Sequence, residues 1–186
     1  SVKELVALAK ARPGEVLYGS AGAGSVPYMA VEYFKMLSGT NIVAVPYKGT
    51  GPMMADPLGG HISMTINGVP GLLSSVKAKQ LRALAVGTEK RLEILPELPT
   101  IAEAGVRGYE MSTCYGILAP AGTPRDIVTK INEEIVKTLL RPDIVSQFTV
   151  QGAVPASSTP EQFGNFIESE IVRWAKVVKA AGAKAE

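Results

Sequence analysis

The sequence predicts an α/β fold in which a mostly parallel sheet, covered by helices, is followed by C-terminal helices. Three observations predict it. Strand and helix signals alternate through the first two thirds of the chain, glycine-rich turns stand at the strand-to-helix junctions, and the last third carries apolar residues at helical spacing.

Ser1-x-x-Glu4 is a capping box, and Val2, Leu5, Val6, Leu8 and Ala9 follow at helical spacing until Pro13-Gly14 stops the helix. Val16–Tyr18 reads as a short strand and Gly19–Ser25 as a glycine-rich turn. Ser25 can cap a helix running to about Leu37, with Pro27 in its first turn, where a missing N–H costs nothing. Asn41–Tyr47 reads as a buried strand that Lys48-Gly49-Thr50-Gly51 ends. A short helix around Pro52–Leu58 stops at Gly59-Gly60. His61–Ile66 reads as a third strand, Pro70–Lys79 as a helix and Leu81–Val86 as a fourth strand.

Beyond Gly87 the pattern changes. Thr88–Gly105 is loop-rich, with a small capped helix at Thr100-x-x-Glu103, and Tyr109–Leu118 reads as one long strand, making roughly five in all. Thr123-Pro124-x-Asp126 starts a helix with Ile127, Ile131, Ile135 and Leu139 every four residues. Thr159-Pro160-x-Gln162 starts another, striped by Phe163, Phe166, Ile167, Ile171, Trp174 and Val178 and stopped by Gly182. The apolar faces of these two helices call for a large surface to pack on, either this sheet or a lobe outside this chain.

Composition bounds the function. With 186 residues, 46% hydrophobic and 19% charged, the chain can bury a sizeable core and is not of disordered type. The net charge is only +2 and the basic residues are scattered, which is no nucleic-acid footprint. One cysteine, Cys114, forbids an internal disulfide, and with the single histidine, His61, it cannot build a Cys/His zinc site. No apolar run approaches the roughly 18–20 residues that span a bilayer. Ser1 opens directly into SVKELVALAKARPG, which has neither a basic start nor an uninterrupted apolar stretch, so no signal peptide is read in it.

The richest local feature is Tyr18-Gly19-Ser20-Ala21-Gly22-Ala23-Gly24-Ser25, between a strand and a helix. Its glycines let the backbone turn sharply and come close to a ligand, and the helix end behind it favours an anion by about 0.3–1 kcal/mol, or about 2 when partly buried. Ser20 and Ser25 add hydroxyls. A P-loop would need Lys-Ser or Lys-Thr after the last glycine, where Ser25-Val26 stands. A dinucleotide fingerprint from Gly22 would need glycine at Pro27, and a nucleophile elbow around Ser20 would need glycine at Tyr18. A turn that merely packs helix on strand is the plain alternative.

Val45-Pro46-Tyr47-Lys48-Gly49-Thr50-Gly51 stands at a second strand-to-helix junction. In a parallel sheet both loops reach the carboxyl edge, where ligands of open α/β folds bind. Lys48 offers a cation and Thr50 a hydroxyl. Asn67, after the third strand, comes to the same edge and either bonds a ligand or makes a plain Asn-Gly turn. His61 begins its strand at the opposite edge, which weakens a Ser20–His61 dyad and makes it a satisfied or solvent-facing histidine. Cys114 reads as a small buried hydrophobe in mid-strand and Trp174 as core. Glu133-Glu134 and Glu168/Glu170 are set by the apolar faces of their helices, not poised for acid/base work.

At these loops the sequence resembles the extracytoplasmic solute receptors of tripartite tricarboxylate transporters, the Bug family. The matching stretches are SVKELVALAKARPGEVLYGSAGAGS, VPYKGTGP, LGGHISMTI, LRALAVGTEKR, LPELPTIAEAGVRGYE, YGILAPAGTP and PEQFGNFIESEIVRWAKVVKAAG, in order over nearly the whole chain. The resemblance implies a type II periplasmic-binding-protein-like lobe with no cofactor, one of two that close on a small carboxylate and deliver it to a membrane permease. Residues 1–115 would be the second, ligand-binding lobe. Residues 116–186 would be a crossover strand and C-terminal helices returning towards a first lobe outside this chain, which would make the chain a periplasmic fragment. Where the family often has histidine this chain has Tyr28, where it often has an aromatic residue Cys114 stands, and where it often has Asp-Asn the chain has Ile66-Asn67.

The leading expectation is therefore a carboxylate-binding receptor lobe without chemistry, its site formed by Ser20, Ala21, Gly22, Gly24, Ser25, Tyr28, Lys48, Thr50 and Asn67. Its partners would be a small carboxylate and a membrane permease, with no nucleic acid and no membrane insertion. The alternatives are a small hydrolase or transferase using Ser20 as nucleophile, and a non-binding interaction fragment.

Overall fold

A computed structural model describes residues 1–183 of the chain. Its described elements run α1 Val2–Ala11, β1 Leu17–Ser20, α2 Val26–Ser38, β2 Val43–Pro46, α3 Thr50–Gly59, α4 Val69–Lys77, α5 Arg125–Leu139, α6 Pro142–Val150 and α7 Pro160–Ala181. They fall into two compact units. One is Ser1–Thr113 with the chain from Lys176 onward, the other Cys114–Ala175, so α7 contributes to both.

In the first unit the local signals act as the sequence predicts. Ser1 Oγ accepts a hydrogen bond from the Glu4 backbone N–H at 3.3 Å, and the Glu4 carboxylate accepts from the Ser1 backbone ammonium at 2.6 Å, closing the capping box of α1. Ser25 caps α2 by accepting from the Tyr28 N–H at 3.4 Å, and Gly39, at φ +63°, ends it in the left-handed conformation. β1 and β2, joined through α2, pair in parallel with Leu17 opposite Val43 and Ser20 opposite Pro46. This is a βαβ unit.

The core forms where α1, α2, β1 and the 101–109 segment meet, with Ala9, Tyr18, Val31, Phe34, Ile42, Ile101 and Tyr109 all buried. Tyr18 donates its hydroxyl to Glu32 Oε1 at 2.8 Å, and Lys35 Nζ bonds the same oxygen at 2.6 Å. The half-buried Glu32 carboxylate of α2 is thus paired rather than stranded. Tyr109 lies against the other side of α2, stacked on Tyr33 at 5.2 Å and donating to the Ala30 carbonyl at 3.1 Å.

The sheet is smaller than its sequence pattern suggests, with two strands among the described residues rather than roughly five. The expected third strand, His61–Ile66, makes one parallel bridge, Tyr18 to Met64. Ser63 N–H and Met64 N–H both donate to the Leu17 carbonyl, at 2.9 and 3.2 Å, so the even spacing of a parallel ladder is lost there. Leu81–Val86 likewise makes only the Val86–Thr100 bridge; its neighbour Pro99 has no N–H to extend it. Tyr109–Leu118 forms no strand, because a strand needs a partner: Tyr115, Ile117 and Leu118 stand 83%, 73% and 73% exposed. Thr100 and Glu103 do close a reciprocal box, at 2.9 and 3.1 Å, but around a hydrogen-bonded turn rather than a helix.

In the second unit α7 begins on the expected box, Thr159 Oγ1 accepting from Gln162 N–H at 3.1 Å and Gln162 Oε1 from Thr159 N–H at 2.9 Å. α5 does not. Thr123 turns its hydroxyl back to the Pro120 carbonyl at 2.8 Å, and Pro124 takes the cap position without a side-chain bond. α6 was not expected, although Pro142 at its first position and the Arg141–Asp143 ion pair at 2.8 Å are ordinary start signals. Cys114 is exposed, not buried, since no sheet encloses it. With Phe163, Phe166, Ile167, Glu170, Ile171 and Trp174 it lines an open, apolar groove of about 330 Å³, and Trp174 is only half-buried. Ile127, Ile131, Phe166 and Ile171 are exposed.

Candidate functional site

β1 ends at Ser20, which is 4% exposed, and its carbonyl accepts the Tyr47 N–H at 2.8 Å one residue beyond β2. That bond sets the two glycine-rich loops side by side on the carboxyl edge of the parallel pair, as the sequence predicts. Ser20 Oγ accepts from the Gly22 N–H at 3.3 Å and stands 3.5 Å from its carbonyl, folding the loop back over the strand end. Ala21 and Gly22 are half-buried within it. Gly22 and Gly24 have φ of +112° and +81°, which side-chain-bearing L-residues rarely adopt, and no heavy atom lies within 4 Å of a Cβ placed on either. The loop therefore leaves open space above its backbone before Ser25 begins α2.

The second loop is as tight. Gly49 N–H donates to the Tyr47 carbonyl at 2.9 Å, with Gly49 at φ +101°, and α3 starts at Thr50. Lys48 and Thr50 are exposed, and Lys48 forms no ion pair among the described residues. The Met64 bridge to Tyr18 carries the 64–67 segment along the free side of β1 towards the same edge. Asn67 Oδ1 accepts from the Gly68 N–H at 2.8 Å just before α4, the plain Asn-Gly turn that sequence left open. Two residues earlier, the buried hydroxyl oxygen of Thr65 has no hydrogen-bond partner among the described residues. Sequence reasoning passed Thr65 over, as nothing marks a threonine for this. Tyr28, in the first turn of α2, is half-buried. Burial, then the nearby Glu32 carboxylate, pushes its phenol above the ordinary tyrosine range, so it stays a donor at neutral pH.

Charge follows a pattern along the chain. α1, α5, α6 and α7 each carry an acidic residue in the first turn, namely Glu4, Asp126, Asp143 and Glu161. α2, α3 and α4, the three helices that follow the parallel segments, carry none. Their positive ends are left without a built-in counter-charge.

Ser20 and His61 share no hydrogen bond. His61 is solvent-facing, as expected, with its side chain 74% exposed and Nδ1 3.3 Å from Asp56 Oδ1. Asp56 also accepts the Tyr47 hydroxyl. This three-residue cluster was missed, and a spacing of nine and five residues gives no sequence signal for it. Among the described residues no group of three or more His, Cys, Asp or Glu is placed to hold a metal ion, and no helix is long and apolar enough to cross a membrane.

The α/β fold with its loop-bearing carboxyl edge is of the periplasmic-binding-protein class. The chain is similar to the solved periplasmic binding protein BugD, with TM-score 0.87 and 28% identity over 99% of this chain and 62% of that one. It is also similar to R. palustris Rpa4515, solved with adipate, with TM-score 0.92 and 40% identity over 98% of this chain and 61% of that one. Residues 1–183 match the family described as tripartite tricarboxylate transporter family receptor, and the chain belongs to that family. Protein BugT of Bordetella pertussis is 39% identical over 184 residues, 99% of this chain but 56% of BugT, so the chain spans little more than half of that relative.

Proposed function

We propose that this chain is the ligand-binding lobe of a periplasmic receptor that captures a small carboxylate for a membrane permease of the tripartite type, and that it catalyses no reaction. The observation that carries the reading is the convergence of α2 and α3, both without first-turn acids, on one edge beside Lys48. Backbone N–H groups of Ala23, Gly24, Thr50 and Gly51, the hydroxyls of Ser20, Ser25, Tyr28 and Thr50, the Lys48 ammonium and the Asn67 amide would receive the carboxylate. Rpa4515 with adipate supports a dicarboxylate as the probe. Residues 1–115 act as this lobe, and residues 116–186 as the segment returning towards a first lobe. The bonding of Ser20 to Gly22 instead of His61 speaks against a nucleophile.

Adipate titrated into the isotope-labelled chain is expected to shift the amides of Gly22, Gly24, Lys48, Thr50 and Asn67 with an affinity in the millimolar range, about 4 kcal/mol, since one lobe supplies roughly half of a micromolar site. Ser20→Ala is expected to weaken binding about tenfold, roughly 1.4 kcal/mol for one hydroxyl to a charged acceptor. Shifts confined to other surfaces, or stoichiometric acylation of Ser20 by a serine-directed probe, would overturn the proposal.

A further inference from the structure

The Asp56 carboxylate accepts two side chains at once, the Tyr47 hydroxyl on Oδ2 and His61 Nδ1, at 3.3 Å, on Oδ1. Tyr47 belongs to the turn that follows β2, Asp56 to α3, and His61 to the chain just after α3. One carboxylate thus clasps both ends of α3 to the turn that precedes it. The turn has little slack, because Gly49 N–H bonds Tyr47 O at 2.9 Å, Met53 N–H bonds Gly49 O at 3.4 Å, and Tyr47 N–H bonds Ser20 O at 2.8 Å. Lys48 and Thr50 lie inside it. The bonds from Tyr47 and then His61 hold the Asp56 carboxyl below its usual range, so it is an ionised acceptor at neutral pH. The titratable groups bearing on it are Tyr47 and His61. β1, which packs on α3, brings no charge, its Tyr18 being bonded to Glu32.

We infer that Asp56 is a positioning residue for the carboxylate edge, fixing the Lys48–Thr50 turn through Tyr47. The inference rests on the anion-binding reading of that edge. His61 donates to Asp56 through Nδ1–H, which both the charged ring and the neutral Nδ1–H tautomer carry, so the clasp does not require a charged ring.

Hydrogen exchange of the ligand-free chain reads the clasp: the turn amides Gly49 and Met53 are expected to exchange about threefold faster in Tyr47→Phe and in Asp56→Asn than in the native chain. Tyr47 itself, pushed up to about 12 by its bond to Asp56 and by partial burial, is expected to ionise closer to the ordinary value of about 10 in Asp56→Asn, followed by tyrosinate absorbance. Adipate affinity is expected to fall about threefold in Tyr47→Phe, the size of an exposed ion pair. Turn amides that exchange at the native rate in both variants, or a Tyr47 ionisation unchanged in Asp56→Asn, overturn the inference. Adipate that shifts none of the edge amides in the native chain removes the anion site and the inference with it, whereas adipate that binds there unaffected by these variants removes the inference alone.

Discussion

Replacing Tyr109 by alanine is expected to cost about 3–5 kcal/mol of stability, the range for removing a buried aromatic side chain. Tyr109 is 1% exposed, stacks on Tyr33, meets the Phe34 ring edge-on at 6.2 Å, and bonds the Ala30 carbonyl. No neighbouring element can collapse into the space without dragging α2, whose Tyr33 hydroxyl also holds the Gly108 carbonyl at 2.9 Å. Domains of this size are stable by about 5–15 kcal/mol, so the variant would lose a large fraction of its reserve. Urea unfolding checks it. Tyr109→Phe, which deletes only the hydroxyl, is expected to lose about 1 kcal/mol, and the difference between the two variants isolates packing from hydrogen bonding. A Tyr109→Ala loss below that of Tyr109→Phe would show that the 108–111 segment is not part of the core.

The next largest effect is expected at Gly19, through crowding rather than emptiness. A Cβ added there would stand 2.5 Å from Met53 Cγ and 2.7 Å from Ile62 Cδ1, both in buried side chains. Gly19→Val adds three carbons to that contact and is expected to cost about 3 kcal/mol, the upper end of ordinary overpacking. Gly19→Ala should cost less, because the tip of Ile62 can shift. Since Ser20 follows directly, forcing α3 away from β1 also disturbs the Tyr47 N–H bond to Ser20. Hydrogen exchange at the Tyr47 amide is expected to accelerate with the loss of stability. An unchanged urea midpoint in Gly19→Val would mean that α3 does not press on β1 in solution.

What was legible in the sequence was local. The boxes at Ser1/Glu4 and Thr159/Gln162 and the Ser25 cap depend on residues three apart, and all three stand as read. So does the adjacency of the two glycine-rich loops, because a short strand, helix and strand in succession leave one right-handed parallel way to connect. What was not legible depends on distant partners. His61–Ile66 has a strand's composition, yet Leu17 spends one carbonyl on two of its N–H groups and the ladder stops. Cys114 carries an apolar neighbourhood in sequence but has no sheet to be buried in. The Asp56 clasp arises because a helix turn, a loop and a tyrosine of fixed reach happen to meet. Its residues were each in view, and their contact was not.

The groove of the second unit has a practical consequence. The chain has one cysteine and one tryptophan, and both line that groove. A thiol-directed quencher on the exposed Cys114 would therefore sit beside the protein's sole indole emitter without any engineering of the sequence. The emission of Trp174 would then stay dim while Cys114 and α7 remain together and brighten as they part. That optical signal arises wholly within residues 114–175, whereas five of the six tyrosines, all but Tyr115, belong to the other unit. Unfolding followed at both wavelengths would tell whether the two units melt as one or in turn.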